Sequence, residues 1–508
     1  MLRSLGRDST ALVVLPLVAL GLHWVCITQY GFFRDELYYL ACAARLDWGY
    51  VDHPPFFVAL VWAMSQFVGD TIVAVRLPLA VASAGTVALS MATARRMGAG
   101  GWSVWLAGLF PLLAGMFLVL FHLGTMNGVD VFLWALAAWL LVRIFERPTW
   151  PLWIALGMVF GAGLLNKASM AWLMCGLLFG VLLTPDRRKT LASPQPYVAV
   201  LLGLGLWIPH IVWQAHRNWP TTEFLRNAQR LKMVPVPPWE FLAQQAVVMN
   251  LAAVPFLLYG AWWAVRDKRE GRLWLPFAAV TMAVALFLLV NGRSRVNYLA
   301  PAYTFLFPVA ALATQRLFER RRIHPGWAIV PVTVVGAATV PLGLPILPVH
   351  VLSEVVAATP VQPPMEERGH RSPIQGYADM FGWPEMAEDA YAAYLQIPGP
   401  ERDRAVVITK NYGEAAAIER FWPGERPAPV VSGHNQYYLW GPGDWDGRAA
   451  VFVNGPEPET ASMFQEVRLV GRTSHRLAVP EEGNAPISLA FGLQEPVPVF
   501  WKRIKQFR

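Results

Sequence analysis

Long apolar runs recur as far as about position 350, and they restrict this chain more than any other feature, because a helix needs about 20 apolar residues to cross a bilayer. The runs lie near 11–29, 71–93, 102–121, 131–145, 151–165, 168–184, 197–213, 241–264, 273–291, 299–315 and 327–348. They predict about eleven transmembrane helices, with 131–145 and 151–165 short for a full span. Inside lipid every backbone N–H and C=O must be satisfied within the chain, so the fold class is a polytopic helical bundle. A composition of 55% hydrophobic and 15% charged residues lies outside that of ordinary soluble enzymes.

Basic residues set the orientation, since Lys and Arg accumulate in cytoplasmic loops. Alternate loops carry Arg95 and Arg96, Arg143 and Arg147, Arg187 to Lys189, the group Arg266, Lys268, Arg269 and Arg272, and Arg320 to Arg322. Placed inside together with Arg3 and Arg7, they send the loops 34–55, 122–130, 166–167, 214–240 and 291–298 outward. Because the basic residues cluster between apolar runs, the net charge of +8 reads as a topology signal, and no nucleic-acid partner is expected. The outer segment with Arg217, Arg226, Arg230 and Lys232 departs from the charge rule. It reads either as an amphipathic interfacial helix or as a contact to anionic lipid headgroups. The first apolar run continues to Ile27 without a small-residue cleavage signature, as a retained anchor does. Cys26, Cys42 and Cys175 are scattered, so neither a disulfide framework nor a thiolate metal site is indicated.

Beyond about Val349 the apolar runs stop and Pro, Glu and Asp increase. This divides the chain into a membrane domain, 1–349, and a small α/β domain, 350–508, outside the membrane. Strands are predicted at 405–409, 449–453 and 467–470, with a helix at 413–421. The loop Gly433-His-Asn-Gln-Tyr-Tyr-Leu-Trp-Gly441 combines aromatics, which stack on sugar rings, with amides, which bond hydroxyls; an aromatic structural turn is the other reading. No repeat or low-complexity tract occurs.

Polar chemistry concentrates in the outward loops. Arg34-Asp35-Glu36-Leu-Tyr38 and Asp52-His53-Pro-Pro55 come just after the first run, and a carboxylate at a membrane face can serve a hydroxyl nucleophile as general base. His53 beside two stiffening prolines is a candidate for a phosphate oxygen, or simply an exposed turn histidine. Asn127 and Asp130 open a following helix, where Asp130 either acts in a site or complements the helix N-terminus. Lys167 either pairs with a phosphate or snorkels to water. Arg293 and Arg295 in an outer loop have the guanidinium shape suited to phosphate. Acids for a base together with cations for a phosphate suggest transfer of a group from a lipid phosphate.

The segments Arg34-Asp35-Glu36-Leu-Tyr-Tyr, Gly49-Tyr-Val-Asp-His-Pro-Pro55, Met126-Asn-Gly-Val-Asp130 and Tyr298-Leu-Ala-Pro-Ala-Tyr303 together resemble the bacterial glycosyltransferase family 39 group, related to protein O-mannosyltransferases and lipid A aminoarabinose transferases. The resemblance spans most of the membrane part and is strongest in its first third. It implies the GT-C fold and a place in the bacterial inner membrane. It also implies a polyprenyl-phosphate sugar donor, a hydroxyl acceptor on a lipid, glycan or protein, and inverting transfer at the periplasmic face. By motif, Asp35 is implied as the base with Glu36 assisting, and Asp130 as the second-loop acid. His53, Lys167, Arg293 and Arg295 fall to the donor phosphate, and Arg34, Tyr38, Asp52, Asn127 and Tyr298 to substrate. Neither a cofactor nor an obligatory metal is implied. Aminoarabinose transferases have Lys-Pro-Pro where this chain has His53-Pro-Pro. A transporter or flippase of a lipid-linked sugar is the alternative; charges at span ends and an added outer domain favour the enzyme. A silent subunit using the same fold as scaffold is a third reading.

Overall fold

A computed structural model describes residues 2–358, 375–425 and 428–508, with backbone alone for residues 2–9, 11, 356 and 375. The side chains of Arg3 and Arg7 therefore lie outside the described residues. The order begins α1 (Leu2–Val25), α2 (Arg34–Ala43), α3 (Phe56–Val68), α4 (Ile72–Arg96), α5 (Trp102–Leu112), α6 (Gly115–His122), α7 (Met126–Glu146), α8 (Trp150–Asn166) and α9 (Met170–Leu183). The later apolar helices include Gln195–His216, Val254–Arg266, Leu275–Asn291, Ala300–Arg321 and Gly326–Gly343. The chain is a multi-pass membrane protein. Among the described residues, six helices are long and apolar enough to cross a bilayer alone, or up to eight if each bent pair is one span.

The bends have local causes. Pro111 removes an N–H from the last turn of α5, and α6 resumes at Gly115 with the axis turned by 57°. After α9 the chain turns by 115° into the stretch Pro185–Ala192. Two expectations need correction. The run 241–264 is not one span; it divides into Pro238–Val248 and Val254–Arg266 around Asn250, whose φ is +76° and whose amide bonds Val332 O. The short apolar helix α3 was not among the expected runs.

Small residues bring helices together where no hydrophobic effect separates protein from lipid tails. Gly157 and Gly161 of α8 face Ala199 and Gly203 of Gln195–His216, and a Cβ at Gly157 would stand 2.8 Å from Ala199 O. The outer face of that helix shows Leu201, Leu204, Ile208 and Val212, the surface a lipid chain would cover. Ala300–Arg321, by contrast, is buried along most of its length.

The C-terminal part carries a five-stranded sheet in the order β2-β1-β3-β5-β4, with β1 at Val406–Thr409, β2 at Val430–Ser432, β3 at Ala449–Val453, β4 at Phe464–Arg472 and β5 at Pro486–Leu493. β1 is parallel to β2 and β3, and β5 is antiparallel to β3 and β4. Continuous burial of β1 and β3 explains why these runs are uniformly apolar. The expected strands correspond to β1, β3 and β4; β2 and β5 were not anticipated. After β1, Asn411 caps the helix Tyr412–Phe421, accepting from the Gly413 and Glu414 N–H groups while the Glu414 carboxylate accepts from the Asn411 N–H. That helix packs directly on α2.

Candidate active site

The loop after α1 and the start of α2 are anchored by a buried ion pair. Glu36 is fully buried, and Arg76 of α4 grips it with Nε at 2.7 Å from Oε1 and Nη2 at 2.9 Å from Oε2. The Gly124 and Phe33 N–H groups complete the carboxylate at 2.7 Å each. Arg76 also donates to the carbonyls of Ile27, Gln29 and Gly31, so one guanidinium ties α4 to α2 and to the loop leading out of α1. A Cβ at Gly124 would lie 2.8 Å from the Glu36 Cγ, which is why the second loop carries glycine where it passes over the acid. Glu36 was expected to assist catalysis; its oxygens are occupied by four donors, and it acts on the architecture of the loop.

Asp35, one residue earlier, is one-third exposed and accepts from the Tyr412 hydroxyl at 2.8 Å. Burial, then the charge of Asp35, pushes the Tyr412 phenol well above its ordinary range, which keeps it a hydrogen-bond donor to the carboxylate. Arg34 lies 3.9 Å from Asp35 and 3.4 Å from Asp379, and its guanidinium sits over the Tyr412 ring. Tyr38 donates to Asp52 at 2.9 Å, accepts from the Gln436 N–H and stacks on Tyr412. Asn435 donates to the other Asp52 oxygen. Burial raises the Asp52 pKa, and His53 opposes that shift. His53 was expected at the donor phosphate. It is 3% exposed, surrounded by Tyr38, Tyr39 and Tyr50, with Nε2 3.9 Å from Asp52, so its neighbourhood is aromatic and its nearest charge is an acid.

A second group gathers where α7 begins and α8 ends. Lys167 donates to Asn127 at 2.7 Å, stands 3.9 Å from Asp130 and lies over the Tyr298 ring. Asp130 is completely buried, taking bonds from Trp134 Nε1 and the Ser169 hydroxyl. Burial lowers the Lys167 pKa; Asp130 counters this, and Arg295 nearby adds to it. Asp130 thus favours the charged form of the ammonium beside it. Arg293 does not join this group and donates to the Gln229 carbonyl. Asn166, next to Lys167, donates to the Met126 carbonyl beside Asn127, which ties the end of α8 to the start of α7.

Sequence reasoning missed Arg76, Tyr412 and Asp379, and it gave Asn435 to a sugar-holding loop where the structure has it donate to Asp52. Arg76 had a usable signal, a lone charge within the apolar run 71–93. Tyr412 had half of one: Asn411-x-x-Glu414 marks a helix start, yet nothing local reveals an acid 377 positions away.

The family model described as dolichyl-phosphate-mannose-protein mannosyltransferase matches residues 52–213, which include Asp130 and Lys167 but not Asp35. An undecaprenyl phosphate-alpha-4-amino-4-deoxy-L-arabinose arabinosyl transferase 2 of Pseudomonas fluorescens is 27% identical over 373 residues, covering 64% of this chain. The chain spans 60% of that relative's length. Among solved structures, ArnT from Cupriavidus metallidurans in the apo state superposes with a TM-score of 0.60 at 15% identity, over 95% of this chain and 98% of that one. The same protein bound to undecaprenyl phosphate gives a TM-score of 0.58 at 14% identity, over 94% and 97%. The archaeal oligosaccharyltransferase AglB from Archaeoglobus fulgidus, in complex with an inhibitory peptide and a dolichol-phosphate, gives 0.51 at 12% identity, over 88% and 69%. Helical architecture, a small C-terminal sheet domain and these matches agree on a membrane protein with the GT-C type of fold.

Proposed function

We propose that this protein is an integral membrane glycosyltransferase. It moves a sugar from a polyprenyl-phosphate donor to a hydroxyl of a lipid, glycan or protein acceptor, at the periplasmic face of a bacterial inner membrane. The observation that carries the reading is Asp35, a carboxylate one-third open to solvent, held by a permanent donor in Tyr412. In the reaction Asp35 takes the acceptor proton as its oxygen attacks the anomeric carbon. The bond from that carbon to the phosphate oxygen breaks with its electrons staying on the phosphate, and a single in-line displacement inverts the centre. Lys167 and Arg295 neutralise the departing polyprenyl phosphate. The structural neighbours bound to undecaprenyl phosphate and to a dolichol-phosphate support that donor class.

In this reading Glu36 and Asp130 are positioning residues, the first for the loop and the second for Lys167. Arg34, Tyr38 and Asp52 shape the acceptor side, with His53 supporting Asp52. Asn127 and Tyr298 orient the Lys167 ammonium. The membrane domain, 1–349, carries the chemistry, and 350–508 closes over it from outside. Incubating purified protein with a labelled polyprenyl-phosphate sugar and membrane extract tests this. Wild type transfers label and Asp35→Asn does not; transfer surviving the substitution would refute the role of Asp35.

A further inference from the structure

At the far end of α2 from Asp35, a cleft of about 610 Å³ opens between Ala41, the adjoining Ala44 and the C-terminal domain. Its size is that of a small-ligand site. Trp422, Tyr437 and Trp440 supply aromatic surface, and Arg45 and Glu419 supply charge. The pair is bidentate, with Arg45 Nη2 2.8 Å from Oε1 and Nη1 3.2 Å from Oε2. Its side chains remain 43% and 24% exposed. Tyr437 donates to Glu419 at 2.8 Å, packs edge-on against Trp440 at 4.6 Å and stacks against Tyr38, which makes it the wall between this cleft and the Asp52 side. The rim is Gly441-Pro442-Gly443, where both glycines have positive φ and neither meets a neighbouring atom, so the turn leaves the mouth open.

The 433–441 loop therefore splits its functions. Its amides are used up across the interface, Asn435 on Asp52 and Gln436 on the Val51 N–H, while Tyr437 and Trp440 turn into the cleft. We infer that this cleft binds a neutral sugar ring of the acceptor. Trp422 and Trp440 keep part of their surface open, with the Arg45 guanidinium over the Trp440 ring, and aromatic surface of this kind suits the apolar face of a pyranose. A guanidinium and a carboxylate side by side give donors and acceptors for vicinal hydroxyls, and each has bonding capacity beyond these contacts. Because Glu419 cancels Arg45, a phosphate or carboxylate ligand gains no net attraction there, and a lipid tail would bury the pair without compensation.

Geometry relates the cleft to the reaction. Tyr412 and Glu419 lie seven residues apart on one face of the same helix, about 10 Å along its axis. Tyr412 meets Asp35 at one end, and Glu419 meets Arg45 at the other. An acceptor hydroxyl at Asp35 would then belong to a glycan that extends back to the cleft. That last step rests on the transferase reading; sugar binding in the cleft does not.

The test is saturation-transfer NMR on the detergent-purified full chain, using neutral trisaccharides of glucose, mannose, galactose and N-acetylglucosamine as probes. At least one should bind, Trp440→Ala should weaken it about tenfold or more, and Trp440→Phe should retain most of it. Asp35→Asn should bind the same sugar with unchanged affinity. Thermal melting within a few degrees of wild type shows that Trp440→Ala is folded. The assignment is overturned if none of these sugars binds, if binding survives Trp440→Ala, or if undecaprenyl phosphate alone displaces the sugar from this site. Loss of transfer in Asp35→Asn with sugar binding intact separates the two readings; transfer that persists there sinks the role of Asp35 as base and leaves the cleft standing.

Discussion

Replacing Glu36 with glutamine removes one charge and almost no volume, and the surrounding geometry fixes the cost. Both carboxylate oxygens face donors only: Arg76 Nε and the Gly124 N–H on one, Arg76 Nη2 and the Phe33 N–H on the other. Whichever way the amide turns, its NH₂ meets two N–H groups, so two bonds are lost and a buried guanidinium loses its counter-charge. Removing one partner of a buried pair costs about 3–5 kcal/mol, a large part of the roughly 5–15 kcal/mol that holds an ordinary domain folded. Unfolding of Glu36→Gln followed by circular dichroism in mixed micelles should show a loss of that size. Arg76→Gln should lose a similar amount. The double substitution removes the stranded charge and should cost less than the two singles added, by about 1–3 kcal/mol. At a temperature where Glu36→Gln is folded, transfer should fall far less than in Asp35→Asn. A Glu36→Gln protein within about 0.5 kcal/mol of wild type, or strictly additive substitutions, would refute the clasp as an energetic unit.

Asp35→Asn should lower transfer by about 10²–10⁴-fold while leaving the melting temperature near wild type, measured with a saturating labelled donor. Lys167→Gln should weaken binding of polyprenyl phosphate by about tenfold or more in a direct binding assay, because an ammonium aimed at a phosphate supplies a charge-assisted bond. Gly124→Ala should destabilise through the Glu36 clasp in the same unfolding measurement, since its methyl would stand 2.4 Å from Val75 Cγ1 and 2.8 Å from Glu36 Cγ. For pH, burial and then Glu482 push Glu414 up to about 8. The folded state then keeps a proton that the unfolded chain has released, so the stability this group contributes is full below about pH 4.5 and declines as pH rises to about 8. Glu414→Gln should flatten that slope in pH-dependent unfolding, whatever it does to absolute stability.

Legibility in the sequence tracked the range of the forces involved. Apolar runs and cation clusters report on the bilayer, an environment the same for every helix, so the spans and the first outward loop could be read from local composition. The break at Asn250 could not, because its compensation is a carbonyl at Val332 contributed by another helix. Asp35 was legible as an acid at a span end. The resemblance already gave it a different role from Glu36, as base beside an assistant; that Glu36 is buried in an ion pair was visible only once Arg76 and Gly124 were in place around it. The cations were legible as a class, but Arg293 and Lys167 read alike in a sequence; a backbone carbonyl occupies one, and a buried acid with an aromatic face holds the other.

The C-terminal domain changes what the first loop is. Asp35 at the start of α2 bonds Tyr412, Arg45 just past its end bonds Glu419, and Asp52 beyond them bonds Asn435. Every one of these partners comes from residues 412–435, so the C-terminal domain is fastened to the proposed catalytic helix and the loop after it by Asp35, Arg45 and Asp52. Taking a proton from an acceptor would cancel the Asp35 charge and so weaken the bond that Tyr412 donates to its Oδ1, and Asp52 cannot move without disturbing Asn435. In the proposed mechanism, acceptor entry and the seating of the C-terminal domain are therefore coupled through shared hydrogen bonds. Tyr412→Phe tests that coupling, since it keeps the ring stacked on Tyr38 and removes only the hydroxyl. Hydrogen exchange at the start of helix Tyr412–Phe421 should rise in the variant, and transfer should fall without loss of donor binding. Unchanged exchange with full activity would show that the domain rests on the loop without taking part in its chemistry.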